Sequence, residues 1–216
     1  MKYKGIFRTH HLYILFSVFL MVLGNMSTSL ATTATTLLDD VVSLKLGMNG
    51  YIIGQKLNDS QKEHAGKHPV EGAYQDTYKF VDNHLFVVVD KKSDRVLALY
   101  RQEKKATKNQ LKEMVVELIN LFDTPTTMAH DKILYWAFNK YGAISEDDFN
   151  TAKKIKQTPN LGIIATVKLN SEMEIAPDSQ EGEQETSEKK KEDQTGSIYF
   201  IITSDPMIQE FITSRQ

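Results

Sequence analysis

The chain reads as a single α+β domain in which an antiparallel sheet carries amphipathic helices packed mainly on one face. Three observations predict this class. Apolar strand-like runs occur at 78–81, 85–90, 95–101, 132–139, 161–169 and 197–203. The polar stretch Lys91-Lys92-Ser93-Asp94 joins the second and third of these as a hairpin, and hairpin neighbours pair antiparallel. Helical stripes stand between and after groups of strands without alternating strictly with them, which favours segregated layers over a parallel βαβ sheet.

Taken in order, a Thr-rich spacer at 31–36 precedes Leu37, Leu38, Val41 and Val42, with Asp39 and Asp40 opposite. That spacing predicts a short amphipathic helix ended by Gly47. A second short helix is predicted over 49–57, interrupted by Gly50 and Gly54. Residues 58–72 are polar, contain His64, Gly66, His68, Pro69 and Gly72, and predict a loop. The β signal begins near Tyr74. In 95–101, Val96, Ala98 and Tyr100 alternate with Leu97 and Leu99, so both faces are apolar and the strand is predicted to be covered, at least in part, on both sides.

The clearest helix is 107–122. Thr107 and Gln110 form a capping box, and Leu111, Met114, Val115, Leu118, Ile119 and Phe122 fall on one stripe. Asp123-Thr124-Pro125 stops it. The 132–139 strand holds the only tryptophan, Trp136. Ser145 caps a helix reaching about 157, with Phe149, Ala152 and Ile155 facing inward and Glu146, Asp147 and Asp148 complementing its dipole. In 161–169, Ile163, Ala165, Val167 and Leu169 share one face. Pro206 follows Ser204 and Asp205 at the start of a closing amphipathic helix carrying Met207, Ile208, Phe211 and Ile212.

Ahead of this domain, Lys2, Lys4 and Arg8 precede the uninterrupted apolar run 12–23, and Ser29-Leu30-Ala31 fits a small-x-Ala cleavage site. A bilayer core needs roughly 20 apolar residues to span it, so this run predicts a signal peptide over 1–31. The remaining 32–216, about 185 residues, suffices for one domain with a real core. With a formal charge of −2 for the whole chain and three basic residues in the signal, the remainder is mildly acidic and offers no electrostatic footprint for nucleic acid. The chain contains no cysteine, which excludes a disulfide framework, thiol chemistry, a Cys-ligated metal and N-terminal lipidation of Cys. An exported protein without disulfides points to a bacterial envelope, periplasmic or secreted, with no stable membrane anchor after cleavage. Residues 171–196 are rich in Glu and Gln, carry Lys189–Lys191 and hold almost no apolar residue, so a disordered hairpin insertion is predicted there.

Chemistry has few places to reside. His64-x-x-x-His68, near Glu63 and Glu71, has the spacing that puts two imidazoles on one helix face, as in many zinc sites. Gly66 and Pro69 argue against a helix, Ala65 stands where a metalloprotease motif places its Glu, and two exposed loop histidines explain the same pattern. His130-Asp131 and Ser204-Asp205 supply the residue types of a hydrolase triad. Ser204-Asp205-Pro206 is, however, fully explained as a helix cap, and no Gly-x-Ser-x-Gly elbow is present. No Gly-rich phosphate loop occurs. Tyr74, Tyr78, Phe80, Phe86, Tyr100, Tyr135, Trp136, Phe138 and Tyr141 cluster in the strand region, as core or as the lining of a recognition surface.

Leu44-Lys45-Leu46-Gly47-Met48 followed by Ile52, Ile53 and Leu57 resembles the opening of small envelope modules, the outer-membrane-assembly lipoproteins and β-lactamase-inhibitor-like proteins. The resemblance covers 37–101 and implies two helices ahead of antiparallel strands, together with protein binding.

The expectation is therefore an exported, non-catalytic protein without a cofactor that binds another envelope or secreted protein through a strand edge or sheet face. Tyr74, Tyr78, Tyr100 and Trp136 are its candidate contact residues, and His64 and His68 the candidate metal ligands. The competing readings are an exported hydrolase or metal-dependent enzyme using His64, His68, His84 or His130, and a carrier of a small apolar ligand between helices and sheet.

Overall fold

The structure, a computed structural model, describes residues 36–175 and 195–213. The export signal expected at 1–31 lies outside them, as do residues 176–194 of the expected insertion. The two ends of that insertion are strand or core: Ser171 closes one strand, Met173 is buried, and Thr195 opens the next.

The fold is α+β. In chain order come α1 (Leu37–Ser43), β1 (Gly47–Met48), β2 (Tyr51–Ile52), α2 (Asp59–Lys67), β3 (Thr77–Asp82), β4 (Leu85–Asp90) and β5 (Val96–Thr107). There follow α3 (Lys108–Phe122), β6 (Thr127–Ala129), β7 (Ile133–Asn139), β8 (Gly142–Ala143), α4 (Glu146–Lys154), a 3-10 turn (Thr158–Leu161), β9 (Ala165–Ser171), β10 (Thr195–Thr203) and α5 (Asp205–Thr213). An eight-stranded antiparallel sheet runs β3-β4-β5-β10-β9-β7-β6, with β8 paired to β7, while β1 and β2 form a separate ribbon. Among the described residues no helix is long and apolar enough to cross a membrane.

Tight turns organise the strands. Asn49 and Gly50 join β1 to β2, Asn83 and His84 join β3 to β4, and His130 and Asp131 open the β6–β7 turn, all with positive φ. Paired positive-φ residues match the twist of flanking strands in short hairpins. The helix expected over 49–57 is therefore a hairpin followed by a turn. Gly54, at φ +81°, lies where a Cβ would come within 2.8 Å of Val42.

The loop expected over 58–72 contains α2. Asn58 and Gln61 cap it reciprocally, each side chain accepting from the other's backbone N–H at 2.9–3.0 Å. Ala65 is its buried residue, so it lacks the wide apolar stripe that marks a helix in sequence. The helix α3 has the expected cap and stripe, with Leu111, Met114, Leu118 and Phe122 buried, while Ile119 is exposed. The helix α4 ends at Lys154, short of 157, and Ile155 is 58% exposed instead of facing inward. The strand expected from 161 begins at Ala165, because Thr158–Leu161 form the 3-10 turn. On α5, Met207 is buried and Ile212 exposed.

The strand β5 continues past Arg101 to Thr107 because β10 pairs along it, Tyr199 with Gln102 and Gly196 with Ala106. One face of the sheet presents Phe80, Val87, Leu99, Phe200, Val167, Leu134 and Trp136, all buried. Tyr51 meets Phe80 edge-on at 5.6 Å, and Phe122 of α3 meets Trp136 edge-on at 6.4 Å. This is the main core.

Candidate functional site

Residues directly opposite each other in neighbouring strands share a face. The pairing therefore aligns Val81, Phe86, Tyr100, Ile201, Lys168, Tyr135 and Thr127 as one continuous row, from β3 to β6, on the face opposite the core. Gln102, Tyr199, Asn170 and Ile133 form the next row on one side. Val88, Ala98, Thr203, Thr166 and Ala137 form the row on the other, with mostly small side chains.

The middle row carries an aromatic step. Phe86 and Tyr100 stack at 4.8 Å with ring planes 8° apart, and Tyr100 lies 6.0 Å from Tyr199 at 40°. Phe86, Tyr100, Tyr199 and Ile201 are all half-buried. Burial, then the neighbouring Tyr100 and Tyr74 phenols, hold the Tyr199 hydroxyl above its ordinary pKa. At the β7 side, Phe149 of α4 meets Tyr135 at 6.1 Å, and burial followed by Asp205 raises the Tyr135 pKa. Lys168 stands half-buried between Ile201 and Tyr135, without an ion-pair partner among the described residues.

Neither outer strand offers an open ladder of comparable quality. The segment around Pro69 runs along β3, where Val70 N–H donates to the Lys79 carbonyl at 2.8 Å and Val81 N–H to the His68 carbonyl at 3.2 Å. At the other edge β6 spans 3 residues directly after Pro125 and Thr126. Short or covered edges disfavour strand addition.

Of the four aromatic candidates, Tyr100 lies in this row. Tyr74, 84% exposed in the loop before β3, belongs to its surroundings through its electrostatic influence on Tyr199. Tyr78 sits on the opposite, core-side face, where its hydroxyl donates to Asp94 at 3.3 Å; burial and then Asp94 push its pKa up to about 12. Trp136 is 1% exposed and its indole N–H donates to the Asp123 carbonyl at 2.8 Å, so it is a core residue unavailable for contact. Sequence reasoning missed Tyr199, Ile201 and Lys168. Alternation in 197–203 was the signal for the first two, but the face they share with Tyr100 follows only from the β5–β10 register.

His64 and His68 do come together. His64 lies in α2, His68 is its C-cap, and their rings are 4.3 Å apart. The His64 Nε2 is 3.2 Å from the Val81 carbonyl and 3.7 Å from Asp82 Oδ1. Among the described residues no group of three or more His, Asp and Glu is arranged to hold a metal. His84 and His130 occupy positive-φ turn positions and are exposed. Ser204 is fully buried, donates to the Ile164 carbonyl at 2.6 Å and accepts from Met207 N–H at 3.2 Å, so its hydroxyl is engaged as a helix cap.

Comparisons with known proteins give no match: no family model fits the chain, and no curated protein or solved structure is significantly similar to it. Of the two helices implied by the resemblance to small envelope modules, the first is present as α1, whereas 49–57 is a hairpin and turn.

Proposed function

We propose that this chain is an exported, non-catalytic binding protein that seats a segment of another envelope or secreted protein across the aromatic row. The observation that carries the reading is the Phe86–Tyr100–Tyr199 cluster, three rings gathered on one sheet face and half-buried there. Rigid aromatic side chains supply much contact area at low entropic cost, and they dominate binding hot spots. The basic-then-apolar N-terminus and the absence of cysteine support an exported location.

Size decides what kind of occupant fits. Strands β4 to β7 span about 19 Å at a spacing near 4.8 Å, and three rows extend about 13 Å along them, so the face measures about 250 Å², of which the row through Ala98, Thr203 and Ala137 is buried. A stable interface between two globular proteins buries about 800 Å² on each side. One extended or helical segment matches this face better than a broad protein surface. With the sheet edges short or covered, contact through side chains is favoured over strand addition.

The test is capture from the native envelope fraction with the wild-type protein and with Tyr100→Ala and Tyr199→Ala variants, their folding checked by circular dichroism. Recovery of one protein in near-stoichiometric amount with wild type, and its loss with both variants, supports the reading. Equal recovery by all three proteins sinks it.

A further inference from the structure

The β7–β8 turn and α4 border a second, open feature, independent of the sheet face. A cleft of about 390 Å³ lies between the β7–β8 hairpin, α4 and the following 3-10 turn. Its floor is apolar, formed by the buried Ile144 and Ala152 and the half-buried Leu161, with the exposed Ile155 at its margin. Its rim is polar and carries Tyr141, Asp148, Thr151, Gln157 and Asn160. A volume in the range of about 300–1,000 Å³, with apolar lining and a few polar groups, is the general form of a small-molecule site.

The hydrogen-bonding state of the rim separates scaffolding from free groups. Asn139 is scaffolding: its amide donates to the Leu161 carbonyl at 3.4 Å and its oxygen accepts from Tyr141 N–H at 2.9 Å. One Asp148 oxygen accepts from the Ser145 hydroxyl at 2.7 Å as part of the α4 cap. The side chains of Thr151, Gln157 and Asn160 have no partner among the described residues. Two primary amides and a hydroxyl, each both donor and acceptor, therefore line the cleft on exposed residues, together with the second Asp148 oxygen.

Charge narrows the ligand class. No Lys, Arg or His is among the lining residues, and the carboxylate of Asp148 is, so the cleft interior disfavours a phosphate or carboxylate; the Lys140 ammonium stands outside it, over the Tyr141 ring. Groups that both donate and accept complement hydroxyls, which do the same. Tyr141, 86% exposed, projects at the rim with the Lys140 ammonium 5.0 Å from its ring centroid. The ring face away from Lys140, negative at its centre, suits the aliphatic C–H face of a sugar. Ile155, exposed beside it, gives apolar surface for the same purpose. We propose that this cleft is a binding site for a neutral saccharide of one or two rings, stacked on Tyr141 and held by Gln157, Asn160, Thr151 and Asp148.

The experiment is a titration of the isotope-labelled protein with cellobiose, with chitobiose and with glucose 6-phosphate, following backbone amide shifts. The expected result is saturable shifts confined to 139–161 with at least one neutral disaccharide, at a Kd of about 10 mM or below. Tyr141→Ala and the Gln157→Ala/Asn160→Ala pair should weaken binding about tenfold or more, whereas Tyr141→Phe keeps it. Tyr100→Ala should leave this titration unchanged, which separates its failure from that of the sheet-face reading. Absence of saturable shifts with either disaccharide, preference for the phosphorylated sugar, or full binding by Tyr141→Ala would overturn the proposal.

Discussion

Phe86 and Tyr100 lie face to face across the β4–β5 pair, 4.8 Å between centroids and 8° from parallel, on the sheet face away from the main core. Cross-strand aromatic pairs stabilise a sheet by about 0.5–1.5 kcal/mol beyond area burial. Replacing Tyr100 by Phe should keep both the stack and partner binding. Tyr100→Ala should cost about 1–2 kcal/mol in urea unfolding and weaken partner binding about tenfold or more by calorimetry. A Tyr100→Ala protein with wild-type affinity would remove the ring from the binding surface.

Trp136 behaves in the opposite sense. It is buried, packs on Phe122 and donates its N–H to the Asp123 carbonyl just after α3. Trp136→Phe should lose about 1–3 kcal/mol through the unpaired carbonyl and the lost volume, and Trp136→Ala about 3–5 kcal/mol. Denaturant unfolding followed by circular dichroism measures both. If the stability loss were within about 0.5 kcal/mol for both variants, the core assignment would be wrong.

Alkaline pH should weaken the fold through two phenols, the buried Tyr51 and the half-buried Tyr78. Tyr78 is held up to about 12, by burial first and then by Asp94. Tyr51 is raised further, by burial first and then by its hydrogen bond to Asp82 at 2.9 Å. An unfolded tyrosine ionises near pH 10. Since the folded protein holds these protons more tightly, the associated stability is fully present below pH about 10 and is lost as pH rises toward the folded values. Urea midpoints should be flat from neutral pH to about 9 and fall beyond 10, with a shallower fall in Tyr78→Phe. An equally steep fall in that variant would exclude Tyr78 as a contributor.

The Asn49-Gly50 turn makes a simple backbone prediction. Gly50 has φ +80° and no heavy atom within 4 Å of where a Cβ would stand, so a side chain there meets conformational strain without steric contact. Gly50→Ala should destabilise by about 1–2 kcal/mol, and Gly50→Asn by less, because Asn tolerates the left-handed region. Equal stability of the three proteins by thermal unfolding would contradict the turn geometry.

What the residues announce on their own is local. The capping box of Thr107 and Gln110, the stripe through Leu111 and Phe122, and the alternation of 165–169 each signal their element within a few residues. The helix α2 escaped because Ala65 is its buried residue, leaving Asn58 and Gln61 as the main mark of its start. The β1–β2 hairpin escaped because apolar spacing around Ile52 and Ile53 outweighed the Asn-Gly pair beside it. The candidate site was less legible still. Whether Tyr100 faces Tyr199 or the core depends on a pairing between residues about a hundred positions apart, which no local pattern specifies. The same sheet register puts Tyr78 and Trp136 on the core-side face while leaving Tyr100 on the other.

The most direct measurement is site-specific photo-crosslinking in the native envelope, with a benzophenone side chain placed at Ile201, Gln102 or, as a control on α3, the exposed Val116. Binding across the aromatic row predicts one discrete crosslinked product from positions 201 and 102, none from 116, and loss of the product when Tyr100→Ala is added. Crosslinks from 116 alone, or products from 201 that survive Tyr100→Ala undiminished, would contradict recognition by this face.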